Sequence, residues 1–105
     1  MLNQVIIIGR LRKVIDLGEN KGGIITIENS RPFKNADGIY ESDFIDVRIF
    51  DGVKNSMIEY VKENDLIGIR GRVQVREVDG NNIIEIVSDK ITFMSSNVKK
   101  EKEDE

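Results

Sequence analysis

The chain has 105 residues, 39% of them hydrophobic, and a formal charge of -3; that length holds one globular domain with a modest core, not two independent ones. Cysteine and histidine are both absent, which excludes a disulfide framework and removes the usual nitrogen and sulfur ligands of zinc. The negative balance excludes capture of nucleic acid by bulk positive charge, so any anion binding has to be local.

The first element is "LNQVIIIGRLRKV". Its apolar run from Val5 to Ile8 reads as a buried strand, Gly9 suggests a bend or bulge, and alternation continues through Leu11 and Val14. The run is far too short for a membrane span or a secretion signal and follows no basic leader, so a soluble cytoplasmic protein is expected. "DLGENKGG" reads as a turn. "IITIENS" is a second strand closed by Pro32, which lacks the N–H that a paired strand needs, and the loop "FKNADG" follows.

Ile39 to Phe50 form the longest alternating stretch, with Ile39, Ile45, Val47 and Ile49 assigned to the core face and Tyr40, Phe44, Asp46, Arg48 and Phe50 to the other. Between Gly52 and Asp65 the period lengthens. Val53, Met57 and Val61, widened by Ile58 and Tyr60, predict a short amphipathic helix that plugs one end of the fold.

"DLIGIRGRVQVREV" returns to period two, with Ile67, Ile69, Val73 and Val75 opposed to Arg70, Arg72, Gln74 and Arg76, and with Gly71 able to relax that parity. "DGN" after Val78 signals a hairpin, and "NIIEIVSDKITFM" supplies the last strand, interrupted near Ser88 and Asp89. The expected fold is therefore all-β: a five-stranded Greek-key barrel of the oligonucleotide- or oligosaccharide-binding (OB) type, with one short helix between strands three and four. The domain is expected over residues 1–94, and 95–105 as a charged, disordered tail.

Four of the six aromatic residues, Phe33, Tyr40, Phe44 and Phe50, fall within residues 30–52. A core spreads its rings among several elements, so this concentration poses a choice. Phe44 and Phe50 share a strand face with Arg48 between them, which suits stacking of single-stranded bases beside phosphates. The alternative is that a neighbouring subunit, or the segment carrying Phe33, covers them. Arg70, Arg72 and Arg76 are equally open to reading as the wet face of an antiparallel strand. Asp46 opposes phosphate unless Arg48 neutralises it.

The blocks "MLNQVIIIGRL", "SRPFKN", "SDFIDVRIF", "EYVKENDLIGIRGRVQVRE" and "EIVSDKITFM", in this order from Met1 to about Met94, closely resemble bacterial single-stranded DNA-binding proteins. The resemblance implies a non-enzymatic homotetramer, with a dimer as the other option, that coats single-stranded DNA without sequence preference during replication, recombination or repair. It places base stacking at Phe33, Phe44 and Phe50, and it puts Val78, which has no ring, where the family carries a further aromatic. Candidate phosphate and polar contacts are Arg10, Lys34, Arg48, Arg72, Gln74 and Arg76.

Two departures accompany the resemblance. The segment between the first two strands looks shorter than in the family, and "KKEKEDE" lacks the terminal apolar anchor through which family members recruit partners. A competing reading is a dimeric, primosome-type accessory module whose aromatic face meets protein, favoured by the acidic charge and by Val78. Catalysis has little to stand on: Asp43 and Asp46 leave opposite faces of one strand and cannot share a magnesium ion. No cofactor is expected.

Overall fold

A computed structural model of the chain describes residues 1–95. The strands are β1 (Val5–Asp16), β2 (Gly23–Lys34), β3 (Tyr40–Ile49), β4 (Leu66–Val78) and β5 (Asn81–Ser95), with helix α1 (Asp51–Tyr60) between β3 and β4. They close into a barrel in the order β1-β2-β3-β5-β4. Every pairing is antiparallel except the short seam where Val47 and Arg48 of β3 meet Ile86 and Val87 of β5. This is the expected OB barrel with its single helix in the expected place. The expected tail, apart from Ser95 at the end of β5, lies outside the described residues. Among the described residues no helix is long and apolar enough to cross a membrane.

The core is built from branched aliphatics. Leu11, Ile25, Ile27, Val47, Ile49, Ile67 and Ile69 are buried together with Met57 of α1. Each contributes about 1.5–3 kcal/mol by leaving water. Val53 and Val61 pack against this cluster, so the predicted helical stripe is correct in its centre. Its expected flanks, Ile58 and Tyr60, are exposed.

The irregularities sit where the apolar spacing breaks. In β1 the register shifts between Leu11 and Lys13, which lets Leu11 and Val14 both turn inward despite their spacing of three. Gly9 itself is not the bulge. A Cβ there would lie 2.4 Å from the Glu28 carbonyl oxygen, so the glycine permits a close approach of β1 to β2. Between β4 and β5 the register shifts after Arg70, leaving Asp89 unpaired in the ladder, as the interruption near Ser88 and Asp89 foretold. Asp79 and Gly80 both adopt positive φ and join β4 to β5 in a two-residue hairpin.

Two expectations about strand limits need correction. β2 does not end at Pro32. It continues to Lys34, because Pro32 falls within a register irregularity between Ser30 and Lys34 where no ladder N–H is required. Ile39, assigned to the core, precedes β3 and is exposed, since the β2–β3 arm has already left the barrel at that point.

The helix is fixed to the β1–β2 turn by Lys54, which is buried. Its Nζ lies 2.8 Å from Asp16 Oδ1, 2.9 Å from Asp51 Oδ1 and 2.9 Å from the Gly18 carbonyl. The ammonium raises no burial debt because two carboxylates and a carbonyl receive its three donors.

Candidate nucleic-acid interface

None of the six aromatic side chains enters the core: Phe33, Tyr40, Phe44, Phe50, Tyr60 and Phe93 are all exposed. That settles where the rings of residues 30–52 point. Phe33, Phe44 and Phe50 are 62%, 64% and 57% exposed in the single chain. Phe44 stands in the middle of β3, opposite Glu28 of β2. Phe50 follows the strand's last residue, in extended conformation at the N-cap of α1, so it keeps the outward parity of Phe44.

Phe33 belongs to the strand-like arm formed by the end of β2 and the start of β3, rather than to a loop. The arm is held at its base by Arg31, whose Nη2 and Nε reach the Asp43 carboxylate at 2.9 and 3.1 Å and whose Nη1 reaches Glu41 at 3.3 Å. The guanidinium keeps the Asp43 carboxyl below its usual range. At the tip, Asn35 Oδ1 accepts from the backbone N–H groups of Asp37 and Ile39. Lys34 lies opposite Tyr40, its Nζ 5.7 Å from the ring centroid.

The polar candidates divide into a cluster and two outliers. Glu85 of β5 draws the cluster together: its Oε2 is 3.4 Å from Arg48 Nε and 3.3 Å from Arg76 Nε, while its Oε1 accepts from Gln74 Nε2 at 2.6 Å. Gln74 Oε1 in turn accepts from Arg72 Nη2 at 3.3 Å, and Arg72 Nη1 meets Asp89 at 3.1 Å. The Gln74 hydrogen bond, then the charges of Arg48 and Arg76, hold the Glu85 carboxyl below its ordinary pKa. Arg10 lies apart, on the outer face of β1 with its Nη1 3.2 Å from the Asn64 carbonyl, and Lys34 lies out on the arm.

Asp46 does not pair with Arg48, as the spacing suggested. It accepts a 2.7 Å hydrogen bond from the Thr26 hydroxyl directly across the β2–β3 ladder, because Arg48 turns to Glu85 at the parallel seam. Asp46, Arg48, Arg76 and Glu85 line one shallow depression of about 200 Å³. Its two cations and two anions cancel.

Sequence reasoning missed Glu85, although the hairpin turn carries the signal: once Val78 faces Asn81, the register places Gln74 opposite Glu85. It also assigned nothing in the β1–β2 turn, where Asn20 and Lys21 border a hollow of about 340 Å³ shared with Arg48 and Phe50. Val78, the position without a ring, stands beside the hairpin turn at the end of β4.

Comparison with known proteins places this surface in context. Residues 2–94 match the single-strand binding protein family. The chain is 33% identical over 105 residues to single-stranded DNA-binding protein 3 of Listeria innocua, an alignment covering 91% of this chain and 66%, just under two thirds, of that protein. It is 30% identical over 103 residues to single-stranded DNA-binding protein B of Bacillus subtilis, covering 90% of this chain and 91% of that one. Among solved structures, the single-strand binding protein of Plasmodium falciparum in complex with single-stranded DNA shares the fold at a TM-score of 0.67 and 16% identity, over 90% of this chain and 96% of that chain. With a match that spans the whole barrel, the chain belongs to the single-strand binding protein family.

Proposed function

We propose that this protein binds single-stranded DNA without sequence preference, as a non-enzymatic coat. The observation that carries the reading is the exposure of Phe33, Phe44 and Phe50 outside an all-aliphatic core, with Arg48 between the last two on the β3 side. Every base has a π-face, so rings of this kind accept any sequence, at about 1–3 kcal/mol per stacked base. A duplex hides those faces, which makes the site selective for single strands.

In this reading Phe50, Phe44 and Phe33 mark a path from the helix end of β3 outward along the arm. Arg48 lies within it, Arg76, Arg72 and Gln74 of β4 flank it, and Arg10 and Lys34 meet the strand at its margins. The absence of cysteine accords with work in the reducing cytoplasm.

We place the oligomer contact on a different face. Ile6 and Ile8, expected to be buried, are 69% and 48% exposed, and with Gly68, Thr92 and Met94 they line an open groove on the outer side of β1, β4 and β5. A second copy covering that groove explains why the "VIII" run is apolar on both faces and gives a dimer; the homotetramer of this reading requires a second, distinct contact between two such dimers.

The test is a titration into labelled oligothymidine followed by fluorescence anisotropy, at several salt concentrations, with the matching duplex as control. Tight, salt-weakened binding to the single strand alone is expected. Absence of binding at low salt would assign the aromatic face to a protein partner, in the manner of a dimeric primosome-type module, and the family fold would then stand without the activity.

A further inference from the structure

Resting on the single-strand reading, we propose that Glu85 is a built-in competitor for the DNA phosphate: its carboxylate occupies the position between Arg48 and Arg76 and sets how tightly, and with what salt dependence, the strand is held. The geometry is that of an anion already bound. One Glu85 oxygen is shared by the Nε groups of Arg48 and Arg76, at 3.4 and 3.3 Å, and the other is anchored by Gln74 at 2.6 Å. The carboxylate is more enclosed than either arginine it pairs with, 14% exposed against 29% for Arg48 and 52% for Arg76. The cations therefore lie nearer to solvent than the anion that pairs them.

Both pairs are made through Nε, so the Nη ends of the two guanidiniums are the groups left to reach a phosphate. With Asp46 in the same depression, the four charges sum to zero before DNA arrives. A phosphate entering there gains little from a neutral site unless it takes an arginine away from Glu85. Arg76, the more exposed partner, is the one that can swing outward. Glu85 then retains Arg48 and Gln74 and is never left without a counter-charge.

The test is Glu85→Gln, which keeps the size and a carbonyl for Gln74 but removes the charge. In oligothymidine titrations E85Q is expected to bind about fivefold more tightly than wild type at low salt, the effect of one unscreened charge near the surface. Its plot of log affinity against log salt is expected to steepen by about 0.7, the increment for one further phosphate on a single strand. A second measurement needs no variant: in the wild-type protein, the Nε–H nuclear magnetic resonance signals of Arg48 and Arg76 are expected to shift when oligothymidine is added, as the shared pair opens.

Weaker or unchanged binding by E85Q with an unchanged salt slope, or Nε–H signals that stay in place while the DNA binds, would overturn the inference and make Glu85 a brace that holds the arginines ready. Binding absent in both wild type and E85Q would overturn the single-strand reading and this inference with it.

Discussion

Phe44, in the middle of β3, and Phe50, one residue past its end, leave the same side of the barrel with Arg48 between them. Neither ring contributes to the core, so truncating them removes a surface without removing support. Phe44→Ala and Phe50→Ala are each expected to weaken oligothymidine binding by about 1–3 kcal/mol, roughly 5- to 150-fold, with the double variant close to inactive in anisotropy. Thermal midpoints and circular dichroism should stay at wild-type values. A fall in stability without a loss of binding would mean that the rings serve assembly instead.

The parity of Phe44 and Phe50 was legible in the sequence because alternation is enforced by the backbone pleat itself. So were the helix between Ile49 and Leu66 and the hairpin at Asp79 and Gly80, where positive φ selects those residue types. What alternation cannot say is which molecule covers an apolar residue. Ile6, Ile8, Ile58 and Tyr60 all read as core and all face outward, since the pattern records a need for cover without naming its source. Lys54 was illegible for the opposite reason. A charged side chain looks like solvent contact, and only the folded chain brings Asp16 and Asp51 to its Nζ. Glu85 fell between these cases: its register was derivable from the turn, but its convergence with Arg48 depends on closure of the parallel β3–β5 seam.

Gly71 illustrates closure from the inside. A Cβ on it would lie 2.2 Å from the Val87 carbonyl oxygen and 3.1 Å from Ser88 Cα, at the point where β4 and β5 change register. Both obstacles are backbone, so nothing can rotate away. Gly71→Ala is expected to destabilise the fold by about 1–3 kcal/mol or more, as overpacking does elsewhere. Chemical denaturation would show this as a lowered midpoint, and an unchanged midpoint would mean that the strands are free to part there.

The Lys54 lock predicts a pH signature. Hydrogen bonding to Lys54 holds the Asp16 and Asp51 carboxyls below their ordinary range, and Asp16, then Asp51, raise the pKa of Lys54. For the lowered carboxylates, stabilisation is complete above the unfolded pKa, about 4, and is lost as pH falls through the folded value. For the raised ammonium, it is complete below the unfolded value of about 10.4 and is lost as pH rises through the folded one. No histidine intervenes, so the thermal midpoint should be level from about pH 5 to 9 and decline on either side. Lys54→Met should lower that plateau. Its deficit should narrow in acid, where wild type loses the same interactions, while both proteins decline together because Glu28, Asp43 and Glu85 also carry lowered carboxyls. Parallel curves at every pH would show that Lys54 acts only through the packing of its stem.

Ile8 offers the most direct test of assembly. It projects from the outer face of β1, opposite Gly68 of β4, into a groove also lined by Ile6, Thr92 and Met94. In an isolated barrel this side chain is already half in water, so Ile8→Glu should cost the fold little. Covered by a second copy, the same substitution would replace apolar contact with a carboxylate that has to be desolvated, a cost that the two cations also lining the groove, Arg70 and Lys90, offset only in part. Sedimentation is therefore expected to show a multimer for wild type and a smaller species for I8E at equal concentration, with the circular dichroism spectrum retained. Because the groove lies on β1, β4 and β5 while Phe44 and Phe50 belong to the β3 side, the smaller species should still bind a short oligothymidine, though without the gain that several linked sites give a long one. An unchanged mass would place the interface elsewhere and leave the exposure of Ile6 and Ile8 to a different partner.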